Sequence, residues 1–522
     1  MICPNCGNEN IDIAQFCFAC GTRFESPAVN KRKPRPAPII IVVCAAVFIM
    51  LMFTGTIGFS GLNGNGSTMK NLITIYDYSS ETSYLIYDGK VLDKRLDGSV
   101  YDTAGSEDGS TWMIGCRIDH AVDLYSLRGG AVDLIASDVG RFNMSKTGNY
   151  ALYLQDEALY HYDFSKGSKT RVIDGMESIR YLGFSPDGKT CVYTASEDYT
   201  SDSELYVYKN GKNIRIGESL EPIAISSNGG LYYYDGEREA LYYTVVGSDK
   251  KTKIVSGSSY QYCYVTNYEQ TQVIFVVYEN GKDEGKAYFT EKGGEKTRIK
   301  GIDSNLSIIY PNAQYYSMYP GNYKAHDLRK EIYQVYGSGY YSSNICVLNK
   351  DMEAERLVKD VEDVWLSGDK KTLYYSKSDS LYHLRLDSDK GADRIARNIN
   401  YFGISKDGET AYYINDDEEL CYVKGEEEPV KIADDVDRLQ LAGNGTIFFL
   451  ADVSGKTGAG SLYSCKKGKD KQLISDEVYS FSMYSDSCMY SVRLGRGEYD
   501  IYVGKEGKKI SLELKEIDIS YN

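Results

Sequence analysis

Seven stretches of this chain share one layout: GSEDGSTWMI (105–114), MSKTGNYALYL (144–154), FSPDGKTCVYT (184–194), ISSNGGLYYYD (225–235), LSGDKKTLYYS (366–376), ISKDGETAYYI (404–414) and LAGNGTIFFLA (441–451). Counted from the Ser or its equivalent, they start at 106, 145, 185, 226, 367, 405 and 442. The early steps are 39, 40 and 41 residues and the late ones 38 and 37. Weaker copies sit at VTNYEQTQVIFVVY (265–278) and MYSDSCMYSV (483–492). Each unit runs from an apolar pair into a Ser/Asp-Gly turn, then an aromatic strand. A second strand comes next, carrying Leu-Tyr, as in Leu124-Tyr125, Leu159-Tyr160, Leu205-Tyr206, Leu241-Tyr242, Leu381-Tyr382 and Leu462-Tyr463. Asp-Gly and Asn-Gly between such runs are hairpin signals, because glycine accepts the positive φ of a tight turn. A repeat of this kind cannot bury its apolar face alone, so the units must stack on one another.

Units of about 40 residues made of short antiparallel strands have the period of a β-propeller blade. The expected fold class is therefore mostly β. The composition agrees: 49 Tyr against 15 Phe and 2 Trp suits half-buried strands, and 50 Gly with 10 Pro suits glycine-based turns. FSPDGKT and its copies resemble the TolB-type, WD-like propeller repeats, whose signature is [FW]SPDGKxLxY. That resemblance spreads over 72–522, is strong at a few units, and drifts elsewhere to SKDG, SSNG or AGNG. The stretch 280–350 is out of register. Counting through gives roughly nine to eleven units, so the region is either one large irregular propeller or two propellers with a break near 290–345.

GFSPDGKT (183–190) also fits the Gly-x-x-x-x-Gly-Lys-Thr pattern of phosphate-binding loops. Such a loop must open a helix, whose N-terminus faces the phosphates. After Thr190 the chain instead reads CVYTASEDYTSDSELYVY, β-branched and aromatic without helical period. Sister units also drop the lysine, with Glu409 after Gly408 and Gly230 after Gly229. The match is a β-turn.

The first 71 residues are of another kind. MICPNCGNENIDIAQFCFACGTRF (1–24) carries Cys3-x-x-Cys6 and Cys17-x-x-Cys20. Four thiolates in two such knuckles complete a tetrahedral Zn²⁺ site, and metal binding would supply most of the stability of so small a segment. Two disulfides or four free thiols are the alternatives. The segment resembles the short zinc ribbons that begin many bacterial membrane proteins, CPxCGxE…FCxxCG, here Cys3, Pro4, Cys6, Gly7, Glu9, Phe16, Cys17, Cys20 and Gly21. With no open ligand position the resemblance implies a structural zinc. A basic, proline-bearing linker comes next (25–37).

From Ile39 to Phe59 there is no charge over 21 residues, and a helix of that length spans roughly 30 Å, the thickness of a bilayer core. The expectation is one transmembrane helix over 38–60, against a buried soluble helix or a cleaved signal peptide. A flexible Gly/Asn/Ser stalk then covers 61–71. Lys31, Arg32, Lys33 and Arg35 precede the span and the nearest base after it is Lys70. Positive flanks stay in the cytoplasm. The expected localisation is the plasma membrane, single-pass, with a cytoplasmic ribbon and an extracellular propeller region. Thiolates for zinc persist best in the reducing compartment, which agrees.

Net charge is −15, and residues 1–37 hold two more bases than acids, so everything beyond the span sums to −17. Nucleic acid is excluded as a partner. His120, His161, His326 and His383 form no metal pair, and there is no Gly-x-Ser-x-Gly elbow. Asp416-Asp417-Glu418-Glu419 and Glu426-Glu427-Glu428 read as solvated loop charge. The cysteines beyond the span, Cys116, Cys191, Cys263, Cys346, Cys421, Cys465 and Cys488, are odd in number and widely spaced, so no disulfide framework is indicated. No catalytic motif is present, and the expected function is that of a binding, scaffold or sensor protein rather than an enzyme. It would hold an extracellular protein, peptide or glycan, with a cytoplasmic protein partner for the ribbon. The alternative is an extracellular glycan-active hydrolase or lyase.

The topology has a direct check. In intact cells, with other exposed thiols removed, a membrane-impermeant maleimide is expected to label Ser67→Cys and not Ser26→Cys. The reverse pattern would invert the orientation.

Overall fold

A computed structural model describes the chain from Lys70 to Leu514, with short internal gaps, the longest at 257–262, 279–284, 312–322 and 337–342. Cys3, Cys6, Cys17, Cys20 and the apolar stretch 38–60 lie outside the described residues. Among the described residues no helix is long and apolar enough to cross a membrane.

The repeat becomes sheet. Ten antiparallel sheets succeed one another in chain order, and nine of them have four strands. They form a β-propeller of ten sheets. The first blade covers 72–97 and the next eight cover 99–136, 139–173, 178–218, 220–256, 263–298, 306–361, 364–397 and 399–433. The tenth sheet, 436–514, has seven strands. Its long strand Lys469–Tyr484 explains the number. The early part pairs with Gly460–Lys466 and the later part with Ser487–Arg493, and the register shifts around Val478. Glu477, just before Val478, has φ +57°. The same left-handed residue separates successive blades elsewhere, at Asp138, Ser219, Asn398 and Asp435. The seven strands are thus two repeat units run together through one strand.

The turn motif is built from side chains that close on their own backbone. The Ser185 hydroxyl donates to Asp187 at 2.7 Å and accepts from the Thr190 N–H at 3.1 Å. Ser106, Ser367 and Ser405 repeat both bonds with Asp108 and Thr111, Asp369 and Thr372, and Asp407 and Thr410. In the sixth blade Asn267 does the serine's work, accepting from Thr271 and Gln272 at 2.8 Å each. These serines are buried, and the turn satisfies hydroxyls that burial would otherwise penalise. Strands Ser178–Phe184 and Thr190–Ser196 flank the 185–189 turn, so no helix opens there.

The turn glycine does two jobs. Gly188 has φ +74°, and a Cβ there would meet Ser145 Cβ of the preceding blade at 2.9 Å and Thr147 Oγ1 at 2.8 Å. A Cβ on Gly148 would meet Ser106 Cβ of the second blade at 2.8 Å. Each such glycine seats its blade on its neighbour's serine.

Between turns, the repeated Leu of the third strand is buried in every unit that has it. Beside it, a ring of the second strand stacks on one of the third: Tyr153 on Tyr160, Tyr193 on Tyr206, Tyr233 on Tyr242, Tyr375 on Tyr382, Phe449 on Tyr463 and Tyr490 on Tyr502, with centroids 5.1–5.7 Å apart. Cross-strand pairs of this kind stabilise a sheet directly, which accounts for the tyrosine content.

Blades pack face to face through separate cores. One core joins Ile274, Phe289, Leu306, Tyr333 and Met352, so packing is continuous across the out-of-register stretch. Another joins Ile73, Ile75, Tyr84 and Ile86 of the first blade to Ile501 of the last sheet, which closes the ring.

Gly188→Ala is expected to destabilise the protein more than Gly129→Ala. Both positions have positive φ, at a cost of about 1–2 kcal/mol, but Gly129 has open space around it. At Gly188 overpacking adds about 1–3 kcal/mol. Chemical denaturation of the two variants checks the difference.

Candidate functional site

Left-handed positions favour Asn, Asp and Gly. The chain places acids at several of the points where one blade passes to the next and where second and third strands turn. Asp138, Asp360, Asp435 and Glu477 stand at junctions, and Asp119, Asp156, Glu157, Asp379 and Glu418 in turns, all with φ between +49° and +61°. Junctions and these turns lie at the same end of the strands, so one face of the propeller collects them. Within Asp416–Glu419, Glu419 is held by Lys431 at 2.8 Å and by Asn415 at 2.9 Å.

On that face, between the second and third blades, is a cleft of about 600 Å³. Tyr101, Arg117, Asp119, His120, Asp138, Asp156 and Glu157 supply its polar lining, with Val122, Val139 and Leu154 beneath. Tyr101 is fixed from three sides. Its hydroxyl donates to the Gly140 carbonyl at 3.1 Å, the Arg117 guanidinium lies 4.9 Å over its ring, and Phe142 meets it edge-on at 6.4 Å. Burial raises the Tyr101 pKa, Asp102 adds to the rise, and Arg117 opposes it. The cleft therefore offers a neutral phenol, a cation, an imidazole and several carboxylates around an apolar floor.

The opposite face carries the Ser-Gly turns, and there contacts reach between blades that are not neighbours. The Tyr268 hydroxyl of the sixth blade donates to Glu107 of the second at 3.1 Å. Lys324 of the seventh blade stands 3.4 Å from Glu107 and 4.3 Å over the Tyr268 ring, and Lys146 of the third lies 5.6 Å from that ring. Burial disfavours the Lys324 charge, but Tyr268 and Glu107 outweigh it and hold its pKa above the lysine norm. His326 pairs with Glu269 at 2.5 Å and meets Tyr268 edge-on. Beside them, buried Glu331 accepts from Tyr323 at 2.7 Å and from Lys370 of the eighth blade at 2.6 Å. The arrangement is a latch of turns, with its polar groups spent on one another.

The histidines separate. His161 and His383 lie on third strands opposite Leu152 and Tyr374, and His161 stacks between Tyr150 and Tyr208 at 5.1 and 5.2 Å. Only His120 enters the cleft. Cys116, Cys191, Cys346, Cys421, Cys465 and Cys488 are buried and unbonded to one another, and burial pushes up the Cys116 thiol to about 12. Cys191 and Ala411 occupy the same register position, each opposite the last residue of its blade's first strand. Among the described residues no cluster of His, Cys, Asp and Glu could hold a metal. Neither the cleft nor the latch is legible as a motif. Tyr268 and Glu107 lie 161 residues apart. The cleft is assembled from turns of two units, and its only sequence signal is the recurrence of an acid at the same place in each repeat.

Residues 2–24 match the zinc-ribbon domain family. No curated protein matches the chain. Among solved structures it is similar to dipeptidyl peptidase 4 of Porphyromonas gingivalis, at 8% identity and TM-score 0.39, over 80% of this chain and 67% of that one. It is also similar to TolB of Acinetobacter baumannii, at 14% identity and TM-score 0.26, over 62% of this chain and 70% of that one. A third is an oligogalacturonate lyase in complex with manganese, at 12% identity and TM-score 0.31, over 69% of this chain and 95% of that one.

Burial lowers the His161 pKa, with Lys166 adding to and Asp163 opposing the shift. A histidine whose folded pKa lies below its unfolded value binds its proton on unfolding, so the folded state loses stability as pH falls through the usual 6.5. His161→Gln is expected to flatten the fall in Tm between about pH 7.5 and about 5.5, by the equivalent of roughly 1 kcal/mol or less. Thermal melts across that range, for the variant and the parent, check it.

Proposed function

We propose that this chain is a single-pass, membrane-anchored binding or scaffold protein. Cys3, Cys6, Cys17 and Cys20 hold a structural zinc in the cytoplasm, residues 38–60 cross the plasma membrane, and the propeller stands outside and holds a protein, peptide or glycan. The ribbon is free to engage a cytoplasmic protein partner. The observation that carries the binding reading is the cleft between the second and third blades. It pairs an immobilised aromatic ring with a guanidinium, an imidazole and carboxylates at its rim. Aromatic faces with hydrogen-bonding neighbours suit sugars and polar peptides, and a rigid β scaffold keeps such a surface in place. The match of 2–24 to zinc ribbons supports the ligand set, and the uncharged 21-residue stretch supports the anchor.

One feature favours the second reading, a glycan-active hydrolase or lyase: Asp119, His120, Asp156 and Glu157 share that cleft. Carboxylates and an imidazole at one pocket are the groups that acid–base chemistry on sugars requires.

The test is an array of cell-surface polysaccharides and peptides probed with the full chain in detergent. Arg117→Ala and Asp156→Asn are each expected to weaken retention about tenfold, the equivalent of roughly 1.4 kcal/mol, while Lys324→Ala leaves it unchanged. Retention that ignores the cleft variants would refute the site, and shortening of a retained polysaccharide would select the enzyme reading.

A further inference from the structure

From the second blade onward the strands of a blade follow one another in chain order, and turns between first and second strands meet across the ring, as Tyr268 meets Glu107. The fourth strands therefore stand at the perimeter. One register position on them recurs, the residue opposite the tyrosine of the Leu-Tyr pair. Arg171 stands opposite Tyr160, Arg215 opposite Tyr206, Lys253 opposite Tyr242, Arg298 opposite Tyr288 and Arg394 opposite Tyr382. In the seventh and ninth blades a cysteine replaces the tyrosine, and Arg356 faces Cys346 and Lys431 faces Cys421. Every blade from the third to the ninth presents a base at this position.

The position faces solvent whatever occupies it. The second blade and the last sheet hold leucine there, Leu134 opposite Tyr125 and Leu473 opposite Tyr463, and both are more than half exposed. A charge on an edge strand keeps it from pairing with other chains. An acid would serve that end equally, and the chain has 74 acids against 59 bases. Nor does the tyrosine ring call for the base, since the base persists opposite Cys346 and Cys421. Neither reason accounts for bases alone in seven successive blades.

The surrounding charge runs the same way. Segments 166–173, 209–217, 250–256 and 292–300 lead into and along the fourth strands of the third to sixth blades, and each holds three more bases than acids. The strip is continuous from blade to blade. Lys251 Nζ donates to the Ile216 carbonyl of the preceding blade at 3.3 Å, Lys296 Nζ does the same to Ile254 at 3.3 Å, and Lys300 pairs with Glu353 of the next blade at 2.5 Å. Arg171, Arg215 and Lys431 have carboxylates beside them. Among the described residues Lys253, Arg298, Arg356 and Arg394, in four consecutive blades, are held by no carboxylate.

We infer that this belt binds an acidic polysaccharide, one with a carboxylate on its repeating sugars, laid across the fourth strands from blade to blade. A guanidinium takes a carboxylate through two parallel hydrogen bonds. A small anion would engage one exposed base and gain little. A chain with evenly repeated charges engages several bases at once, and the linkage multiplies its affinity. A peptide that added to a sheet edge would instead run along one fourth strand and meet one blade. Half-buried rings beside the bases, at Tyr160, Tyr242, Tyr288 and Tyr382, offer sugar faces an aromatic surface that a bare phosphate chain would leave unused. The belt is separate from the cleft between the second and third blades, whose lining includes none of these bases.

The test is retention of the full chain, in detergent, on immobilised alginate at low ionic strength. The parent is expected to bind and to be released as added salt screens the charges. Lys253→Gln, Arg298→Gln, Arg356→Gln and Arg394→Gln combined are expected to weaken binding at least about tenfold. Lys146→Gln, Lys189→Gln, Lys330→Gln and Lys371→Gln combined remove the same charge from the face of the serine turns. They are expected to change binding less than about twofold, as is Arg117→Ala in the cleft. No retention on alginate, equal loss in the two combined variants, loss with Arg117→Ala, or preference for immobilised polyphosphate over alginate would each overturn the inference. A footprint on the unaltered protein gives an independent reading. Alginate is expected to slow acetylation of Lys251, Lys253 and Lys296 at least about fivefold while Lys189 reacts as before, and unslowed acetylation of the three would also overturn it.

Discussion

One small contact recurs between blades, the seating of a turn glycine on the buried serine of the preceding blade, at Gly148, Gly188 and Gly408. The serine hydroxyl is satisfied inside its own turn, by an aspartate it donates to and an N–H it accepts from. It can therefore be buried without penalty. The glycine supplies the left-handed turn and, lacking a Cβ, lets the neighbouring blade approach. Ser-x-x-Gly is thus at once a hairpin code and an inter-blade spacer. Where the glycine is absent, as at Lys370, the left-handed conformation persists, and the residue is tied down otherwise, here by the ion pair with buried Glu331.

Between these points the blades are held by apolar cores and stacked rings, both of which read from one strand to the next. The Leu-Tyr pair on the third strand divides the labour: Leu is buried in the core, and Tyr stacks across to the second strand. Tyrosine suits this place because its ring is covered while its hydroxyl reaches the edge of the sheet, as Tyr206 does to Glu204. The buried thiols and the imidazoles of His161 and His383 belong to this packing, which separates them from the cleft, where His120 stands.

The acid excess has a conformational origin as well as an electrostatic effect. Junctions and the turns between second and third strands adopt positive φ, Asp and Asn tolerate it, and these positions fall at one end of the blades. On the opposite face Glu107 and Glu331 are paired with lysines and tyrosines in the latch, and the turn aspartates are bonded to serines. A ligand approaching the propeller thus meets two chemically different faces, although the chain as a whole is simply acidic.

Sequence alone determined the repeat, the strand-turn-strand unit, the turn chemistry, the four-cysteine knuckle and the uncharged stretch. Each of these rests on interactions within about forty residues, and local spacing records them. Only the tertiary structure decided the number of sheets, the running together of two units at Glu477 and the closure of the ring. It alone brought Tyr101, Arg117, His120 and Asp156 into one cleft and Glu107, Tyr268 and Lys324 into one latch. The physical reason is that these depend on which units meet in space. A nearly uniform repeat carries the rule for stacking on a neighbour, while the ring's closure settles which first and last units become neighbours.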